Sequence, residues 1–107
     1  MIRVVSLNIE LNRHIPKIIS FLKDVNADVF CAQEIYECDI DLFKRELGFN
    51  HCLFSSMSLI PYGEEYDKLE NSPYVLADQI SSGVLDSDDY KLEAVGVAIF
   101  SKNPFSR

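Results

Sequence analysis

Ala27-Asp28-Val29-Phe30-Cys31-Ala32-Gln33-Glu34 is the stretch whose reading decides the fold. Val29, Phe30, Cys31 and Ala32 form an unbroken apolar run, which predicts a strand buried on both faces. The run ends abruptly in an amide and a carboxylate, Gln33 and Glu34. A charge at the end of a buried strand is costly unless something pairs with it, and a cation would do so.

Toward the N-terminus, Ile2-Arg3-Val4-Val5-Ser6-Leu7 reads as a short strand rich in β-branched residues that runs into Asn8-Ile9-Glu10. Between the two strands, Ile15, Ile18, Ile19, Leu22 and Val25 recur at steps of three and four and predict a helix with one apolar stripe. Pro16 fits its first turn, Asn12 is expected to cap it and Asn26 to stop it. Strand, helix and strand make a βαβ-like unit. Ligands collect at the carboxyl ends of strands in such sheets, which places Asn8 and Glu34 on one functional edge.

Toward the C-terminus, Asp39 is expected to cap a shorter helix with Ile40, Phe43 and Leu47 inward and Gly48 as its stop. Residues 50–54 predict a third strand. Residues 55–92 read as an irregular acidic insertion holding Pro61, Gly63, Pro73, Gly83 and four tyrosines (Tyr62, Tyr66, Tyr74 and Tyr90), with a helical turn or two at 75–80. Residues 94–100 are apolar throughout and predict a central strand, with Gly96 and Ala98 leaving one side thin enough for a close approach. The expected class is α/β (α+β): a mixed sheet with helices on one face, because two helices do not cover both faces of four strands.

At 107 residues the chain has room for one small domain and a single core. The net charge of −7 resides in residues 61–93, where nine acids stand against two bases; the rest is balanced. No basic patch steers the chain onto nucleic acid. No window approaches the roughly 18 apolar residues of a membrane helix, and the N-terminus lacks the pattern of a signal peptide, so a cytoplasmic protein is expected. Cys31, Cys38 and Cys52 lack zinc-ligand spacing and are expected to be reduced, with Cys31 a small core residue.

Three pieces in order resemble the opening of the endonuclease/exonuclease/phosphatase family: Val5-Ser6-Leu7-Asn8-Ile9, the Ala27–Glu34 strand that begins Ala-Asp-Val and ends Gln-Glu, and Gly96-Val97-Ala98-Ile99-Phe100-Ser101-Lys102. The match covers most of residues 2–49 and 94–105; residues 55–92 depart from it. The resemblance implies that residues 1–107 are the N-terminal portion of a four-layer α/β sandwich that hydrolyses phosphate esters with Mg²⁺ or Mn²⁺. It implies that Glu34 is a direct metal ligand and that Asn8 lies beside the metal and the substrate phosphate. Mg²⁺ takes few protein ligands, typically one or two carboxylates plus waters and phosphate, which agrees with that assignment.

Other polar side chains read most simply as solvated surface. Glu10 is a tempting second ligand but reads as an exposed side chain, and Lys102 could reach a phosphate but reads as a strand edge. His14, in a first helical turn, and His51, near a strand start, match no motif of the family. The family's later motifs, a downstream Asp-x-Asn and a terminal Ser-Asp-His, have no counterpart after Lys102. General-base help contributes roughly 10²–10⁴-fold, so this chain alone is expected to be nearly inactive, with the catalytic residues C-terminal to Arg107. The substrate class stays open among nucleic acids, phospholipid head groups and inositol phosphates. A different reading is a self-standing α/β binding module that contacts a partner through the acidic, tyrosine-bearing residues 55–92.

Overall fold

A computed structural model describes residues 2–62, 73–83 and 91–105. Within them the order is β1 (Val4–Asn8), α1 (Ile15–Val25), β2 (Val29–Tyr36), a 3₁₀ turn (Glu37–Asp39), α2 (Ile40–Leu47), β3 (His51–Pro61), α3 (Pro73–Ser81) and β4 (Leu92–Ser101). The strands form one mixed sheet in the order β1-β2-β4-β3. β1 runs parallel to β2, and β4 is antiparallel to both β2 and β3. This is the expected mixed α+β arrangement, with β4 central as its apolar sequence predicts.

Side chains alternate across each strand, so one face of the sheet collects Val5, Leu7, Phe30, Ala32, Ala98, Phe100, Cys52 and Phe54. The apolar stripe of α1 and the inward side of α2 pack on this face and complete the main core. Phe30, Phe43, Phe49 and Phe100 lie at its centre; Phe30 and Phe100 stack with ring centroids 5.6 Å apart. Asn26 and Gly48 end the two helices in the left-handed conformation, as their positions predict.

The other face is open. Val4, Leu53 and Ile99 are 62%, 57% and 37% exposed on it. β2 is thus buried on one side only, and its apolar run does not mean two-sided burial. Cys31, next to Phe30, points to the open face, where it pairs with Ile99 and is half-buried rather than part of the core.

Two expected caps are replaced. His14, not Asn12, occupies the N-cap position of α1, and no side chain caps that helix. Asn12 instead hydrogen-bonds the Tyr62 side chain. Asp39 stands at the N-cap position of α2 but makes no capping bond; its carboxylate turns inward. The irregular region is also shorter than expected at its start: residues 55–61 continue β3, because they find ladder partners along β4 as far as Leu92. A bulge at Met57 breaks the two-residue alternation there and conceals the strand in the sequence. The helical turns expected at 75–80 belong to the nine-residue α3. Residues 63–72 and 84–90, the remainder of the acidic segment, lie outside the described residues.

Candidate functional site

The site grows out of an irregularity in β2. Gln33 pairs with Val97 and Ile35 with Gly96, so Glu34 is an extra residue on a β-bulge. Its φ is 58°, in the left-handed region that residues with a Cβ rarely occupy. The β1–α1 loop carries the same strain twice, with φ at 53° in Glu10 and 65° in Leu11. Such conformations cost on the order of 1–3 kcal/mol each, persist only where the surroundings enforce them, and cluster at functional sites.

Here the enforcement is visible. β1 and β2 end side by side, with Asn8 opposite Gln33. Past that pair, Ile9 donates its N–H to the Gln33 carbonyl (3.0 Å) and Leu11 donates to the Glu34 carbonyl (2.9 Å), which sews the loop onto the bulge. Asn8 closes the arrangement with both ends of its amide. Its Oδ1 accepts the Glu10 N–H (3.1 Å), and its Nδ2 donates to Glu34 Oε1 (3.1 Å). Asn8 follows Val4 and Ser6 on the open face, so the Glu34 carboxylate is presented there as well. Gln33 donates its amide to Ser6 Oγ at 3.0 Å and braces the same edge.

On the far side of Glu34 lies β4. Gly96 sits between two bulges, Glu34 on β2 and Met57 on β3. A Cβ on Gly96 would run into the Ser55 backbone carbonyl, so the thin strand foreseen at this position serves a backbone contact within the sheet. Glu34, Met57, Ser58, Val95 and Gly96 line a hollow of about 220 Å³ between the bulges.

The other candidate residues divide. Glu10 and His14 belong to this edge: Glu10 Oε2 is 3.2 Å from His14 Nε2, and both side chains are at least half exposed. Lys102 and His51 are at the opposite end of the sheet, because β4 runs antiparallel to β2 and Ser101 pairs with Val29. Five residues of strand separate that end from Glu34, roughly 17 Å. The Lys102 ammonium donates instead to Asn26 Oδ1 at 2.6 Å, so a phosphate held at Glu34 is beyond it. His51 meets the Phe105 ring edge-on.

A second polar group is built just past the bulge and escapes a reading by local pattern. Asp39 is 6% exposed, and its Oδ1 accepts the Tyr62 hydroxyl proton at 3.0 Å while Oδ2 is buried with no partner among the described residues. Burial pushes the Asp39 carboxyl above the usual carboxylate range, and Glu93 adds to this; the Tyr62 bond opposes it. Tyr62 in turn is pushed up to about 12, by burial first and then by the Asp39 charge. The thiols of Cys38 and Cys52 are also raised by burial. The group has no local sequence signal, because Asp39 and Tyr62 are 23 residues apart in the chain.

Among the described residues, no group of three or more His, Cys, Asp or Glu side chains is placed to hold a metal, and no helix is long and apolar enough to cross a membrane. Comparison with protein-family models, with curated proteins and with solved structures found no match.

Proposed function

We propose that the Asn8–Glu34 edge binds Mg²⁺ or Mn²⁺ and the phosphate of an ester substrate, as part of a metal-dependent phosphoesterase. The observation that carries this reading is the Glu34 carboxylate itself: a strained bulge presents it on the open face with an amide donor 3.1 Å away. A single protein carboxylate suits a water-rich ion such as Mg²⁺, whereas zinc sites call for three or four protein ligands. Bound there, the ion would polarise a phosphoryl oxygen. The Asn8 Oδ1 is already engaged by Glu10, so what Asn8 has left is mainly an N–H, which suits a phosphate oxygen better than a metal.

The four-layer sandwich belongs to the same proposal. In it, the open face with Val4, Leu53 and Ile99 receives a second sheet. Asn8 is the side chain hydrogen-bonded to the Glu34 carboxylate among the described residues, so Asn8 and Glu34 bind and orient while proton transfer falls to other groups. The alternative, a module that contacts a partner through residues 55–92, draws support from Met57 and Leu59, which are 75% and 60% exposed on the outer strand β3.

Mn²⁺ titration followed by paramagnetic broadening of amide signals tests the metal reading. Broadening centred on Asn8, Ile9, Glu34 and Ile35, and abolished by Glu34→Ala, is expected. Broadening confined to the acidic residues 61–93 would overturn the metal site.

A further inference from the structure

Asp39 is a buried titratable group that the proposed site does not use. We infer that Asp39 is a positioning residue for Glu34, acting through Tyr62 and Tyr36, and that loss of the Asp39 proton loosens the bulge. This rests on the reading of the Asn8–Glu34 edge given above.

The connection is a short series of contacts. Tyr62 donates its hydroxyl to Asp39 Oδ1, and its ring stands edge-on to Tyr36 with centroids 4.7 Å apart and planes at 88°. Tyr36 is 1% exposed and lies two residues beyond Glu34 on β2. Its hydroxyl donates to the Pro61 carbonyl at 2.6 Å, tying the end of β2 to the end of β3. Leu11 packs in the same small cluster as Tyr36, and its N–H donates to the Glu34 carbonyl. A displacement of Tyr62 therefore bears on the bulge from both sides, through Tyr36 along β2 and through Leu11 across from the loop.

The Asp39 environment makes that displacement depend on its protonation. Ionised, Oδ1 keeps the Tyr62 donor, but Oδ2 is buried with no donor among the described residues, which drives the carboxylate toward water. The groups that face it are Tyr62 from the end of β3, Glu93 from β4 and Cys38 from its own turn. Lys91, just before β4, is spoken for by Glu93 at 3.7 Å and by the face of the Tyr62 ring, 5.6 Å from its centroid. Asn12 of the β1–α1 loop hydrogen-bonds Tyr62. α2, which continues from the turn, contributes no charge acting on Asp39 among the described residues. Because the native carboxyl is raised, its contribution to stability is full below the ordinary value of about 3.9 and is lost as the pH rises through the native value.

The test is an NMR pH titration of the metal-free protein, following the Asp39 carboxyl carbon and the Leu11 and Ile35 amides. Asp39 is expected to titrate above 3.9, the ordinary value, and both amides to share its midpoint. That midpoint persists in Glu34→Gln, which removes the titration of Glu34 itself, and disappears in Asp39→Asn, whose thermal midpoint no longer falls across the window. Amides that keep the midpoint in Asp39→Asn, or a wild-type Asp39 that titrates without moving them, would overturn the inference; the second outcome needs no variant to fold. The Mn²⁺ experiment reads separately. Shared titration without broadening at Glu34 removes the metal reading and keeps the coupling, and broadening without shared titration does the reverse.

Discussion

The two apolar clusters of this domain are built on different terms. The larger, under α1 and α2, is made of Phe30, Phe43, Phe49 and Phe100 with aliphatic neighbours, and its buried side chains carry no polar atom. The smaller, past the bulges, is Leu11, Tyr36, Ile60 and Val95 with Tyr62 and Ala77 against it, and its aromatic members end in hydroxyls with fixed partners. Burial without polar atoms is non-directional and supplies stability. Rings with hydrogen-bonding ends have a set orientation and supply position. The residue that needs position, Glu34, lies two residues before Tyr36 on β2, and its carbonyl accepts the N–H of Leu11, so two members of the smaller cluster flank it.

Substitution in each region sharpens the contrast. Phe30→Ala is expected to have the largest effect, a loss of about 3–5 kcal/mol from the cavity it leaves among the other three rings, read by urea unfolding. Against a total of about 5–15 kcal/mol, it brings the domain close to unfolding throughout. Tyr36→Phe leaves the Pro61 carbonyl without its donor, and a loss of about 1–2 kcal/mol is expected. Its amide shift changes should concentrate at Glu34, Ile35 and Leu11; changes spread evenly over the larger cluster would erase the distinction drawn here. Glu34→Gly should have the smallest effect and the opposite sign. It relieves a positive φ, so stability rises by about 1 kcal/mol while Mn²⁺ broadening at the edge is lost. A fall in stability would mean that the carboxylate serves the fold.

The larger cluster was legible in the sequence. Steps of three and four over Ile15–Val25 and the apolar runs at 29–32 and 94–100 are local signals, and each became the expected element. The smaller cluster was not. Tyr36, Ile60, Val95 and Leu11 come together only because bulges at Glu34 and Met57 re-aim two strands, and a bulge breaks the periodicity on which the reading depends. Asp39 and Asn12 both precede helices, so local rules make them caps and say nothing of a tyrosine arriving from the end of β3. The pairing of Asn8 with Glu34 was half legible. The strand ends placed them on one edge, but the left-handed turn that points the carboxylate at the amide had no sequence mark.

The position of β4 between β2 and β3 also sets an order of events during synthesis. β1, α1 and β2 can assemble from contiguous chain, but among the described residues β3 has its sheet partner in residues 92–101, at least thirty residues further on. Until those residues leave the ribosome, a long strand with no Lys, Arg, Asp or Glu, carrying Leu53, Met57 and Leu59 outward, waits without a hydrogen-bonding neighbour. Unpaired strands of that kind are where nascent chains associate with one another. Completion of the sheet is governed by long-range pairing and is slow on that account. The interval between synthesis of β3 and arrival of β4 is therefore when unpaired strand surface is most open to association.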